Sequence, residues 1–146
     1  MLKFFNNKNM HKNNEGNELL SKTASLLIHV AKIDENYTIK EKDIIKQTLI
    51  QLGAKDIDLE KIVSKAEIIE SESNQILDFT KKIKNAGDEF KIQIFEALWK
   101  IIYSNNVADV YETSLMRRLA GLLYLDPKAA GDIKERVKQS LNKWHT

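Results

Sequence analysis

The stretch IDENYTIKE, residues 33–41, has a counterpart in SNNVADVYE, residues 104–112. In both stretches an apolar run with helical spacing ends and a short polar turn follows. A glutamate then stands near the start of the next helical run, Glu41 in the first copy and Glu112 in the second. The flanking apolar residues keep the same offset of 71 residues. This repeat predicts two helix–turn–helix units related by internal pseudo-symmetry.

Length and composition favour one helical domain. The chain has 146 residues, of which 42% are hydrophobic, so it is long enough to bury a core. It contains 5 Gly and 1 Pro, and so few helix breakers favour long helices over a turn-rich β fold.

Charge and cysteine content exclude several functional classes. The 23 basic and 21 acidic residues are mixed along the chain without a concentrated basic block, so we expect no nucleic-acid partner. The absence of Cys removes disulfides, thiolate metal sites and thiol nucleophiles, which fits a reducing compartment. No apolar run is long enough to cross a bilayer, so we expect no stable membrane insertion and a cytoplasmic location.

The predicted fold is all-α, a compact bundle of about seven helices. Residues 1–16 are rich in Asn and Lys and are predicted to be a flexible leader, and residues 17–146 form the helical domain. The first and fifth helices are apolar on several sides, so we expect them to form the centre. The predicted helices span about 17–33, 39–52, from 58, from the cap residues 71–74, 88–103, 110–124, and from Asp126-Pro127 onward.

Helix capping accounts for part of the two turns. Thr38 with Glu41, and Asp109 with Glu112, have the spacing of capping boxes, in which the first side chain accepts from the helix backbone and the glutamate reaches back. Capping leaves Asp34 without a role. The alternative is that each turn surrounds a hard divalent cation such as Ca²⁺, which takes oxygen ligands from carboxylates, amides and carbonyls. The candidate ligands are Asp34, Asn36 and Glu41 in the first turn, and Asn105, Asp109 and Glu112 in the second.

These residues carry a resemblance to a known family. The segment VAKID at residues 30–34 with Glu41, and the later LW at 98–99 with Glu112 and MRRLAGLL at 116–123, resemble the TerB-like family, named for tellurite resistance. A related domain precedes the J-domain of a membrane-anchored co-chaperone. The resemblance covers roughly residues 18 to 145.

The resemblance implies a bundle with pseudo-twofold halves and acidic turns that bind divalent cations. Family members show Asp-Gly in each turn, whereas this chain has Asp34-Glu35 and Asn105-Asn106. An amide in place of a carboxylate removes one ligand charge, so the second turn should bind more weakly. The resulting metal-site residues are Asp34, Glu41, Asp109 and Glu112.

The leading functional interpretation is a non-enzymatic cytoplasmic module that engages a partner protein in a stress or envelope context. Its acidic turns would bind a divalent cation weakly or face a basic partner. One alternative is an enzyme that uses paired carboxylates such as Asp34 and Glu112 as acid and base. Another is nucleic-acid binding through the basic residues of the last helix, which include Lys134, Arg136, Lys138 and Lys143, next to Trp144.

Overall fold

Seven α-helices make up the part of the chain that the structure describes. The computed structural model describes residues 2–34, 37–73, 75–104 and 109–144, and all side chains within them except those of 2–15, 34 and 142–144. These ranges contain no β-strand, and the predicted all-α fold of about seven helices is confirmed. The helices are α1 (Leu2–Ala31, continued by a 3₁₀ turn at Lys32–Asp34), α2 (Ile39–Gln51), α3 (Asp56–Glu72), α4 (Leu77–Ile83), α5 (Asp88–Tyr103), α6 (Val110–Leu122) and α7 (Pro127–Trp144).

Helix α1 lies at the centre because its second half is apolar around most of its circumference. The consecutive residues Leu26, Leu27 and Ile28 are all fully buried, and α1 packs against α2, α3, α4 and α5. Three consecutive residues point in three directions on a helix, so their burial requires neighbours on every side. Helix α5 is similarly buried and packs against α1, as predicted.

The start of α1 was predicted wrongly. The helix begins at Leu2, whereas the sequence pattern placed its start near Asn17. Residues 2–15 contain no Pro, and a single Gly16 weakens a helix by only about 1 kcal/mol, so nothing in this segment stops the helix. The flexibility of residues 1–16 stays a prediction.

The backbone repeats itself at the end of α2 and the end of α6. Ala54 N–H donates to the Leu49 carbonyl at 2.9 Å, and Leu125 N–H donates to the Ala120 carbonyl at the same distance. The residue between helix and linker has a positive φ in both copies, 109° at Gly53 and 57° at Tyr124. Gly53 therefore ends α2 as the sequence predicted.

The repeat extends to a third helix in each half. Helices α3 and α7 begin at residues 56 and 127, which have the same offset as the two turns. Asp126 accepts from the Ala129 N–H at 3.1 Å and Pro127 follows it, the capping arrangement that the sequence predicted. The two halves are therefore α1–α2–α3 and α5–α6–α7, and α4 connects them.

The boundary between α3 and α4 differs from the prediction. Ser71 and Glu72, predicted to cap helix 4, form the last turn of α3, and α4 begins at Leu77. The Ser71 hydroxyl donates to the Ile68 carbonyl at 2.8 Å, so it stabilises the end of α3. Ser and Glu satisfy backbone groups at either end of a helix, and the local pattern does not distinguish these ends.

None of the described helices combines the length and the apolar character that a membrane span requires.

Candidate functional site: the two acidic turns

The second turn carries a complete capping box. The Asp109 carboxylate accepts from the Glu112 N–H at 2.7 Å, and the Asp109 N–H donates to Glu112 Oε1 at 3.3 Å. Asp109 is exposed, whereas Glu112 is buried although it carries a carboxylate. The pair satisfies amide groups that the helix itself leaves without partners, so part of the role of Glu112 is to begin α6.

In the first turn the structure describes one of the two hydrogen bonds of the predicted capping box. The Thr38 hydroxyl accepts from the Glu41 N–H at 3.4 Å, and Glu41 is 2% exposed, close to the 3% of Glu112. Asp34 ends the 3₁₀ turn that follows α1, and its side chain lies outside the described residues. The structure therefore preserves the repeat down to a buried carboxylate in the first turn of α2 and of α6.

The two turns lie at the same end of the molecule. Lys40, in the first turn of α2, donates from Nζ to the Ser104 carbonyl at 3.4 Å, and Ser104 caps the end of α5. This bond shows that the start of α2 and the end of α5 meet, and the two helices pack against each other. The pseudo-symmetry thus brings both turns to one surface, which we call the turn end.

The predicted metal site is only partly described. Glu41 and Glu112 are buried and Asp109 is exposed, while Asn36 and Asn105 lie outside the described residues. Among the side chains that the structure places, no three His, Cys, Asp or Glu come together as a set able to hold a metal ion. Assignment of the site to Asp34, Glu41, Asp109 and Glu112 stays a prediction, as does the pairing of Asp34 and Glu112 in an enzyme.

Tyr37 lies among carboxylates, and the sequence did not lead us to expect this cluster. Burial, followed by the negative charges of Glu67, Glu41 and Glu70, raises the pKa of the Tyr37 phenol above its ordinary value. Lys42 partly offsets these charges, since its Nζ lies 3.3 Å from Glu67 Oε1 and 5.5 Å from the centre of the Tyr37 ring. The first turn is thus more acidic than its own residues indicate.

Glu70 joins this cluster to the end of α1. Its two carboxylate oxygens lie 3.3 Å from His29 Nδ1 and 2.8 Å from Lys32 Nζ. Ser25 lies one turn before His29 on α1, and Ala66 lies one turn before Glu70 on α3. The Ser25 hydroxyl donates to the Ala66 carbonyl at 3.2 Å. The two helices therefore run parallel, and the end of α3 arrives at the first turn. A sequence signal existed, because Glu70 continues the buried stripe of Val63 and Ala66 at helical spacing.

The acidic surroundings of Tyr37 predict a pH dependence of stability. A tyrosine in the unfolded chain has a pKa of about 10, and the folded value is higher. The neutral phenol therefore contributes stability that is fully present below about pH 10 and is lost as the pH rises through the folded value. We expect the free energy of unfolding to fall above about pH 10, and to fall less steeply in Tyr37→Phe. Urea denaturation at a series of alkaline pH values measures both slopes.

Tyr111→Phe is the matched control, because it removes the same hydroxyl group from a side chain that is 64% exposed, in the first turn of α6. A slope in Tyr37→Phe as steep as that of the unmodified protein would show that this phenol does not couple to folding.

Comparison with curated proteins and with solved structures finds no match for this chain. Comparison with models of protein families does find a match. The model described as tellurite resistance protein TerB matches residues 20–135, which include both acidic turns and reach from the buried half of α1 into α7. The match spans most of the chain, and the protein therefore belongs to the TerB family.

Proposed function

We propose that this protein is a non-enzymatic cytoplasmic module that binds a partner protein through the turn end. One observation carries the proposal. Ile39 and Val110 occupy equivalent positions, the first residues of α2 and α6, and are 79% and 83% exposed. Large apolar side chains that lie together on a surface are typical of a region that a partner covers. Tyr111, the residue after Val110, is 64% exposed.

The chemistry of the turn end favours a partner with basic and apolar groups. Asp109 is exposed next to Val110, so an apolar contact and a carboxylate stand side by side. Interfaces combine a buried apolar centre with a polar rim, and charge complementarity selects the partner. The family description, tellurite resistance, is the reason for placing this interaction in a stress or envelope context.

The proposal includes weak binding of a divalent cation at the same end. The support is the repeated placement of Glu41 and Glu112, each in the first turn of a helix directly after an oxygen-rich loop. Ca²⁺ accepts such carboxylate, amide and carbonyl oxygens in flexible geometry.

The contacts of α7 favour this proposal over nucleic-acid binding. Arg136 lies 3.3 Å from Glu96 in an ion pair, and Asp132 and Glu135 stand among the basic residues of this helix. The exposed face of α7 therefore has mixed charge, and part of its positive charge is already paired. Phosphate binding requires several cations that are free to pair with the backbone of the nucleic acid.

Replacing both exposed apolar residues tests the partner surface. The double variant Ile39→Ser with Val110→Ser should lose at least about tenfold in affinity for the partner, because truncation of central interface contacts typically costs more than 1 kcal/mol each. The measurement is affinity capture from cells that naturally contain the protein, with quantification of each captured protein by mass spectrometry.

The matched control is Ile50→Ser with Ile57→Ser, since these residues are 45% and 84% exposed and lie in the last turn of α2 and the first turn of α3, at the opposite end from the start of α2. A protein retained by the control and lost from the turn-end variant is the partner. Equal capture by both variants would place the interaction on another surface.

Cation binding predicts a rise in melting temperature. At a Ca²⁺ concentration of about ten times the dissociation constant, binding to the folded state adds about 1.4 kcal/mol, or about 3–6 °C for a chain of this size. Asp34→Asn with Glu112→Gln should abolish the rise, because it removes two ligand charges while glutamine still completes the capping box. Calorimetry with and without Ca²⁺, repeated with Mn²⁺, measures the shift.

Glu89→Gln with Asp132→Asn is the control, because it removes the same charge from exposed positions outside both turns. If the control loses the shift as well, the ion acts through the general charge of the protein and the site assignment is wrong.

A further inference from the structure

A pocket of about 480 Å³ lies between α5, α6 and α7 in the second half of the molecule. One wall is aromatic and comes from Phe95 and Trp99 on α5, and Met116 of α6 adds to it. The small residues Ala120 and Gly121 on α6, and Ala130 and Gly131 on α7, also line the pocket. Pockets of this size with mostly apolar walls hold small organic ligands.

The internal repeat supplies a comparison, because the corresponding space in the first half is filled. The residues equivalent to Ala120, Ala130 and Lys134 are Leu49, Leu59 and Val63. Leu49 is fully buried, Val63 is 4% exposed, and α2 packs directly against α3. The first half is therefore closed at the positions where the second half leaves a pocket, and Ala120 and Ala130 are smaller than their counterparts there.

The charged residues beside this space also differ between the two halves. In the first half Lys46 Nζ lies 3.1 Å from Glu60 Oε1, an ion pair that joins α2 to α3. In the second half Arg117 is equivalent to Lys46, but Gly131 stands where Glu60 would be. Arg117 therefore has no carboxylate at the position that pairs with Lys46 in the first half.

Lys134 adds a second cation to the pocket. Its ammonium lies 5.2 Å from the centre of the Trp99 ring, which holds it beside the aromatic wall. No Asp or Glu is among the residues that line the pocket, and neither Arg117 nor Lys134 forms an ion pair within the described part of the chain. An apolar pocket with two cations and no anion among its lining residues is complementary to a ligand that has an apolar body and a negative charge.

We propose that this pocket binds a small amphipathic organic anion, an aliphatic chain that ends in one carboxylate. The chain lies between Phe95, Trp99 and the small residues of α6 and α7, and removal of its apolar surface from water contributes most of the affinity. The carboxylate lies at Arg117 and Lys134, where a guanidinium and an ammonium both donate to it. This site is separate from the turn end, and its occupation does not depend on the function proposed above.

The test uses decanoate, below its micelle concentration, and the fluorescence of Trp99. The protein carries Trp144→Phe, which leaves Trp99 as its single tryptophan. We expect a saturable change in emission on addition of decanoate, and about tenfold weaker binding of decanol, which has the same chain without the charge. Absence of a saturable change with decanoate overturns the site, and equal binding of decanol overturns its anion specificity.

Two variants that copy the first half should close the pocket. Ala120→Leu introduces the leucine of position 49, and Gly131→Glu introduces the carboxylate of position 60 opposite Arg117. A Cβ at Gly131 meets no atom within 4 Å, so this substitution fits the folded chain. Both variants should keep the helical circular dichroism of the parent and lose at least about tenfold in affinity for decanoate. Unchanged affinity in both variants would place decanoate elsewhere on the molecule.

Arg117→Gln and Arg118→Gln form the matched charge pair. They are neighbours on α6 and both are exposed, but only Arg117 is among the residues lining the pocket. We expect about five- to tenfold weaker decanoate binding in Arg117→Gln and no change in Arg118→Gln. Equal losses in the two variants would mean that net charge, and not the pocket, attracts the anion.

Discussion

Replacement of Trp99 by alanine should lower the free energy of unfolding by about 3–5 kcal/mol. Trp99 is 3% exposed and lies in a row of aromatic side chains on α5. Its ring centre is 6.4 Å from that of Phe95 in an edge-to-face arrangement and 5.4 Å from that of Tyr103 in a stacked one. Truncation removes these contacts and leaves a cavity that the neighbouring helices fill only in part. Urea denaturation followed by circular dichroism measures the loss.

Trp99→Phe separates the contribution of the ring from that of its polar atom. The indole Nε1 is buried and donates no hydrogen bond to any residue that the structure describes. Phenylalanine therefore removes volume and no hydrogen bond, and we expect a loss of less than about 2 kcal/mol. A loss below about 1 kcal/mol in Trp99→Ala would place this face of α5 on the surface, against the central position described above.

Replacement of Phe79 by alanine should have a similar effect, about 3–5 kcal/mol, for a different reason. Phe79 is fully buried and attaches α4 to α1, where its ring centre lies 5.7 Å from that of His29. Helix α4 has 7 residues, and a helix this short has little stability of its own, so its position depends on packing. The variant should lose the order of α4 before that of the central helices.

Hydrogen exchange measured residue by residue distinguishes local from global loss. We expect the amides of α4 in Phe79→Ala to exchange much faster while those of α5 keep most of their protection. Leu77→Ala is the control, because Leu77 is 44% exposed on the same helix and should cost less than about 1 kcal/mol. Equal loss of protection in α4 and α5 would show that the helices unfold as one unit.

Local sequence was enough to predict the caps and the repeat. The Asp109–Glu112 box and the Asp126-Pro127 start of α7 involve residues within a few positions of each other, and the structure contains both. The physical reason is that a cap satisfies backbone groups of its own first turn, so the information it needs is adjacent in the chain. The family resemblance was also predicted from short stretches of sequence, and the TerB match confirms it.

Local sequence failed where a residue type suits two roles. Ser71 has the chemistry of a cap at the start of a helix, but it donates to the Ile68 carbonyl at the end of α3. The long α1 is a second case, since an Asn- and Lys-rich segment without a strong breaker is compatible with a leader or with a helix. Neither choice follows from the nearest residues alone.

By itself, the sequence determined that this protein is a repeated set of helices with a glutamate in the first turn after each polar loop. Only the tertiary structure decided what surrounds those turns and what lies between the helices. The parallel course of α1 and α3 brings Glu67 and Glu70 to Tyr37, and the small residues of α6 and α7 leave a pocket where the first half is closed. The physical reason is distance along the chain: a cap depends on neighbours within one turn, whereas these contacts depend on how separate helices pack.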